Sequence, residues 1–315
     1  MTKRMTMRDV FAIIRQDVIS ADVYTAFMML LYIVLSFVFH SSVHGSVTVI
    51  WTNVLVMALI AGSIVLVRLT GSSVITFIRY FYIVPTIYMM YDQTHMFVRL
   101  VNPRLYDHLL IQADRMLFGV DPTVWLQQFS FPTLTEFLQV CYFLFYLMPV
   151  SHALELWFRG DVGRVIDFAR MMSFMFFLSY LLYFAMPAIG PRFTLHDFSA
   201  TSVELPGIWI TEALRSIVNI GGGVVTGTLD PASVVNRDCM PSGHTMLTLV
   251  NLILAFRNRS RLRYVFLILG SGLILATVYL RYHYAIDLLV GAILVTLCMP
   301  LECHVDNYLR KRAQN

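Results

Sequence analysis

Asp238–Asp287 decides the reading of this chain: DCMPSGHTMLTLVNLILAF (residues 238–256), a short basic loop, then a segment ending in LILATVYLRYHYAID (residues 273–287). Two apolar segments carry polar residues only at their ends. His244 opens the first; His283 and Asp287 stand where the second ends. The histidines are 39 residues apart, about two crossings of a ~20-residue membrane helix plus a turn. A segment that goes in and a segment that comes out return both histidines to the same face.

The rest of the composition agrees with a membrane setting. The 315 residues are 58% hydrophobic and 13% charged, with a mean hydropathy of +0.69, whereas soluble domains are about 25% charged. No stretch is long enough to form a separate soluble domain. Net charge is +4, almost all of it from arginine, since Lys3 and Lys311 are the only lysines. The basic residues sit in short loops and read as topology signals, not as a nucleic-acid surface. The four cysteines, Cys141, Cys239, Cys298 and Cys303, are scattered. Cys239 is alone in a loop, so neither a disulfide framework nor a zinc site is expected. The N-terminus, MTKRMTMRDVFAIIRQDVIS, lacks the apolar core and cleavage site of a signal peptide. Its apolar residues recur at helical spacing against Arg8, Asp9, Arg15 and Asp17, the pattern of an amphipathic helix lying on a membrane surface.

The expected fold class is all-α: a polytopic transmembrane helical bundle with interfacial amphipathic helices. Eight spans are predicted, roughly 21–40, 46–67, 72–91, 133–157, 165–187, 243–257, 262–281 and 284–301. The sixth is short for a crossing, so its start at Pro241–His244 is expected below the membrane surface. With a cytoplasmic N-terminus, the inside loops hold Lys3, Arg4, Arg8 and Arg15; Arg68; Arg159 and Arg164; Arg257, Arg259, Arg261 and Arg263; and Arg310, Lys311 and Arg312. The short outside loops hold only Arg281. The positive-inside rule therefore puts both termini in the cytoplasm and the two histidines at the extracytoplasmic face. Two long outer segments, about 92–132 and 188–242, each contain an interfacial helix pattern. In the first, Leu105, Leu109, Met116 and Leu117 oppose Asp107, Asp114 and Arg115. In the second, PGIWITEALRSIVNI precedes a Gly221–Gly223 hinge. These helices either roof a lateral route for a lipid or simply cover helix ends. The domain plan is an interfacial helix (1–20), N-terminal spans with outer helices (21–132), a catalytic core (133–301) and a basic cytoplasmic tail (302–315).

The chemistry gathers at the outer face. His283 and Asp287, four apart, share a helix face. An Asp that accepts from one imidazole nitrogen leaves the other free as base or nucleophile. Ser242 is a plausible N-cap after Pro241, and Gly243 lets an anion approach the N–H groups of the helix start. Taken singly, each element reads more readily as structural: a polar pair at a helix end, a capped helix start. Arg192, after the fifth span, and Arg281, two residues before His283, are snorkelling arginines or phosphate ligands. No carboxylate cluster offers magnesium ligands, so no metal and no cofactor is expected. The set fits metal-free phosphoryl transfer through a histidine.

These residues resemble the type-2 phosphatidic acid phosphatase superfamily. Its PSGH motif stands at Pro241–His244, and its H-x-x-x-D ending at His283–Asp287. Of its first motif only Pro191-Arg192 is present, without an upstream lysine. The arginine usual six residues before the third-motif histidine is Thr277 here, with Arg281 nearby instead. Those departures, with PAIGPRF and DRMLFG, resemble the inositol phosphorylceramide synthase branch and its bacterial relatives. The sphingomyelin synthases share the SGHT and HYxxD elements. The resemblance covers about residues 187–291. It implies a lipid phosphate or phospholipid substrate in the bilayer, a phosphohistidine at His283 held by Asp287, and acid–base work by His244. Phosphate binding falls to Arg192, Ser242, Gly243 and Arg281. It also implies an acceptor, either a lipid alcohol (a head-group transferase) or water (a lipid phosphate phosphatase). A lipid transporter or flippase is the rival outside enzymology. It calls for mid-membrane charges and two related halves; only Arg79 and Arg170 lie well inside spans, and no such symmetry is visible.

Overall fold

Apolar runs form helices here because backbone groups away from water must be satisfied within their own segment. The computed structural model describes residues 6–314, and every regular element among them is helical. In chain order these are α1 (Met7–Asp17), α2 (Ser20–Val38), α3 (Ser46–Thr70), α4 (Ser73–Phe81), α5 (Ile83–Val101), α6 (Asp107–Phe118), α7 (Pro122–Leu126), α8 (Pro132–Phe143), α9 (Leu147–Phe158), α10 (Val162–Ala185), α11 (Pro191–Thr194), α12 (Thr201–Glu204), α13 (Thr211–Gly221), α14 (Pro231–Val234), α15 (Gly243–Arg257), α16 (Arg263–Tyr279) and α17 (Ala285–Gln314).

By length and apolarity, five stretches can cross a membrane: α2, α3, α4 with α5, α10 and α17. The pair α8 and α9, bent by 51°, makes a sixth if taken as one span. Helices α15 and α16 match the expected sixth and seventh spans in place. At 15 and 17 residues they are shorter than the about 20 of a full crossing. Five or six spans are therefore supported where eight were expected.

Some boundaries move. Helix α5 continues past residue 91 to Val101 and stops ahead of Asn102-Pro103, as a residue preceding proline disfavours helix. The expected basic tail is helical through Gln314, with Arg310 paired to Asp306 one turn back at 2.9 Å. The interfacial pattern at 206–220 becomes helical only at Thr211. Before it, the Glu136 carboxylate accepts the N–H groups of Ile208, Trp209 and Ile210 at 2.9, 3.3 and 2.9 Å, holding them out of a helical ladder. Lys3 and Arg4, counted among the inward basic residues, lie outside the described residues.

The chain divides into two units. The first takes residues up to Phe97, Arg159–Phe177 and the chain from Leu297. Its α1 is the expected amphipathic helix, opened by a Thr6–Asp9 capping box and packed on α3. Both charges foreseen inside spans are paired. Arg79 donates to Asp22, with the Asp22 Oδ1 contact at 2.9 Å, and the Tyr82 hydroxyl donates to the same carboxylate at 2.7 Å. Arg170 meets Glu302, as well as Asp167 at 3.0 Å and Asp306 at 3.6 Å. Arg79 and Asp22 are both buried, so removing one strands the other. Arg79→Ala should cost about 3–5 kcal/mol of stability. Denaturation of the detergent-solubilised protein should show it, with part of the loss recovered in the Asp22→Ala/Arg79→Ala double variant.

The second unit takes Val98–Phe158 and Leu178–Thr296. In it α16 packs against α8 and α15, and α15 also against α9. Close approach needs small residues on α16. A Cβ at Gly270 would lie 2.9 Å from Thr248 Cγ2, and one at Gly272 would lie 2.7 Å from Cys141 Sγ. The turn between α15 and α16 is held by Glu155, which accepts from the Ser260 hydroxyl and, at 2.7 Å, from the Arg261 N–H. Leu138, Tyr142, Leu205, Ala276, Tyr279 and Leu280 form a buried apolar cluster beside the hairpin's upper end.

Candidate active site

Each element of the site is placed by backbone hydrogen bonds. Helix α15 starts where expected: the Ser242 hydroxyl accepts the Thr245 N–H at 3.2 Å. Gly243 leaves room there for the Tyr183 hydroxyl, which a Cβ would approach to 2.6 Å. The Ser242 N–H donates to the Asp287 carbonyl at 3.3 Å, tying the start of α15 to the start of α17. His283 is set by the end of α16, where the Thr277 carbonyl accepts the N–H groups of both Tyr282 and His283 at 2.9 Å. Arg281 adopts φ +67° to make this corner.

The two histidines meet. His244 Nδ1 lies 3.3 Å from His283 Nε2. The other face of the His283 ring fixes which nitrogen is which. Its Nδ1 is 2.8 Å from the Cys239 carbonyl oxygen and 3.4 Å from Asp287 Oδ2. A carbonyl can only accept, so this network assigns the proton to Nδ1. Nε2 then presents its lone pair toward His244. Tyr142 stacks on His244 at 4.6 Å, Phe145 packs at 4.4 Å, and Tyr282 stacks on Tyr142 at 4.3 Å. Asp287 is fully buried. Its Oδ2 also accepts from the Tyr284 N–H at 3.0 Å and the Cys239 thiol at 3.0 Å, while Oδ1 has no hydrogen-bond partner within the protein.

The arginines come together through their backbones. The Arg192 N–H donates to the Arg281 carbonyl at 3.1 Å. Their guanidinium groups diverge. That of Arg192 donates to Asn219 at 2.8 Å and lies over the rings of Phe193 and Tyr282, at 4.7 and 5.0 Å. It lines a cavity of about 330 Å³ with Phe198, Ser202, Glu212, Arg215 and Tyr282. Arg281 is buried and donates to Glu204 through Nη1, and its Nε and Nη2 have no partner within the protein. Thr277, at the position where an arginine is usual, is buried and donates its hydroxyl to the Ile274 carbonyl at 2.7 Å.

Several supporting residues escaped the sequence reading. Helix α6 leaves the apolar residues of the expected surface-lying helix exposed but turns two of the opposing carboxylates into the protein. Asp107, Leu110 and Asp114 are buried, whereas Leu109, Met116 and Leu117 are exposed. The Asp107 carboxylate accepts the Ile189 N–H at 3.1 Å, the Gly190 N–H at 2.8 Å and the Tyr284 hydroxyl at 2.9 Å. Asp114 caps α17 by accepting from Ala285 and Ile286 at 2.9 and 2.7 Å. Burial pushes its carboxyl up to about 6 despite these two donors. Burial, with Asp287 and Asp107 nearby, keeps the Cys239 thiol protonated far above its usual range, so it is an S–H donor.

A family model described as the PAP2 superfamily matches residues 108–301. The chain belongs to the PAP2 superfamily. The match spans more than half of the sequence and contains His244, His283, Asp287, Arg192 and Arg281. No curated protein and no solved structure matches the chain at a significant level. PAP2 superfamily members are typically phosphatases or phosphotransferases, so the family supports lipid phosphatase or phosphotransferase activity in an integral membrane protein.

Proposed function

We propose that this PAP2 superfamily protein transfers a phosphoryl-linked head group between lipids through a phosphohistidine, as in the inositol phosphorylceramide synthase-like branch. The observation that carries the reading is the 3.3 Å approach of His244 Nδ1 to His283 Nε2, with the His283 proton held at Nδ1. Nε2 attacks the phosphorus of a lipid phosphate ester or diester, and the bond to the departing alcohol breaks. His244 gives that alcohol its proton, while Asp287 stabilises the imidazolium. A lipid alcohol then takes the phosphoryl group from His283, with His244 as base. The N–H groups at Ser242–His244 and the guanidinium of Arg281 bind the phosphate oxygens, and Arg192 joins them by turning its guanidinium away from Asn219. The unpartnered Nε–Nη2 edge of Arg281 suits two oxygens at once and supports its part in this set.

In this reading α15 and α16 join the longer helices as spans, for eight in all. Both termini are cytoplasmic and the histidines face the extracytoplasmic side. The test is incubation of purified protein with labelled lipid phosphates and phosphatidylinositol, with and without ceramide or diacylglycerol. Transfer predicts a new head-group-bearing lipid that needs the acceptor. Release of free phosphate regardless of acceptor would instead establish a phosphatase, and no product from any lipid would sink both.

A further inference from the structure

Cys239 touches both members of the His283–Asp287 pair, a contact that the proposed reaction does not use. Its Sγ is 3.0 Å from Asp287 Oδ2 and 3.6 Å from His283 Nδ1, and those two atoms are 3.4 Å apart. All three residues are buried. We infer that Cys239, His283 and Asp287 form an inhibitory site for a soft divalent cation of the zinc type, which turns the nucleophile off.

The geometry fits a tetrahedral ion. Zinc bonds of about 2.3 Å to sulfur and about 2.0–2.2 Å to nitrogen and oxygen, at tetrahedral angles, separate ligand atoms by about 3.4–3.6 Å. Two of the three edges already have that length. The third, now an S–H hydrogen bond, must open by about half an ångström for zinc. The Cys239 carbonyl, 2.8 Å from His283 Nδ1, becomes a fourth donor once that contact too opens by about half an ångström. The charges also balance: one thiolate and one carboxylate neutralise a divalent ion, so the occupied site buries no net charge. The thiolate favours zinc over magnesium or calcium.

The proton balance explains the inhibition. The cation takes the place of the Cys239 S–H proton, which leaves to solvent. It also takes the Nδ1 lone pair of His283, so the ring proton moves from Nδ1 to Nε2. Nε2 is the nitrogen whose lone pair faces His244, and once protonated it has no lone pair for phosphorus.

Cation binding is independent of the enzymatic reading; only the inhibition rests on it. The experiment therefore has two readouts on full-length, EDTA-treated protein in detergent. Cobalt(II) chloride should give a thiolate-to-cobalt charge-transfer band that saturates near one equivalent and is displaced by zinc chloride. The band should survive Cys141→Ala and vanish in Cys239→Ala and Cys239→Ser, the latter keeping a hydroxyl toward Asp287. Zinc should abolish turnover reversibly, with EDTA restoring it. In each Cys239 variant, judged against its own zinc-free rate, the inhibiting concentration should rise by about 100-fold or more, beyond the 10–100-fold that outer-shell partners carry. A missing band, or a band or zinc sensitivity unchanged without Cys239, overturns the site. A Cys239-dependent band on a protein that turns over no lipid leaves the site standing and removes the functional reading instead.

Discussion

His283→Ala is expected to reduce turnover to background and to remove any phosphoenzyme trapped by rapid denaturation. The geometry makes this loss total. His283 Nε2 is the nitrogen assigned a lone pair, with its partner nitrogen donating to the Cys239 carbonyl and leaning on Asp287. In the variant His244 remains, but its Nδ1 faces the space that the lost ring filled, and Asp287 lies on the far side of that ring, where it orients His283. The measurement is single-turnover labelling with a ³²P-lipid alongside steady-state rates. Label retained on His283→Ala would put the covalent intermediate elsewhere and overturn the assignment.

His244→Ala should lose about 10²–10⁴-fold in rate, the usual share of a positioned general acid. Here the informative quantity is how the loss varies with the leaving group. An alcohol that departs poorly needs its proton in the transition state, whereas an acidic phenol such as p-nitrophenol does not. The deficit should therefore shrink markedly on aryl phosphate substrates, and phosphoenzyme should accumulate if the second step, which needs His244 as base, becomes limiting. A uniform loss across leaving groups would reduce His244 to a packing residue. The ring does pack, stacked on Tyr142 and tilted against Phe145, and the comparison of substrates separates the two roles.

Much of this arrangement is legible in the sequence, for a physical reason. Membrane helices have few ways to run, so 39 residues with a basic loop in the middle already imply that His244 and His283 share a face. The start of α15 could be read because Pro241, Ser242 and Gly243 act locally through cap, N–H and steric space. What escaped was long-range or depended on side-chain direction. Asp107 and Asp114 stand opposite the apolar residues of α6, and that pattern alone does not say whether they meet water or protein. In a membrane protein the unsatisfied N–H groups at the start of α17 and at Ile189–Gly190 draw carboxylates inward, and the apolar face of α6 is left outside. Arg192 and Arg281 could be placed by backbone but not by guanidinium, because a long flexible stem carries its charge toward whichever partner is best. Cys239 reaches its neighbours across more than forty residues of chain, with no local periodicity to announce it.

The Glu155 clasp on the turn of the α15–α16 hairpin has a mechanical corollary. The two imidazoles sit at the open end of a hairpin whose closed end is gripped by one carboxylate, about 25 Å away along the 17 residues of α16. Tongs behave this way: their tips are gauged at the rivet. Loosening that rivet would leave every atom of the reaction centre in place chemically, yet let the jaws drift out of register. The spacing of the two imidazoles is thus held from two ends, by the Ser242–Asp287 backbone tie beside them and by the Glu155 clasp at the far turn.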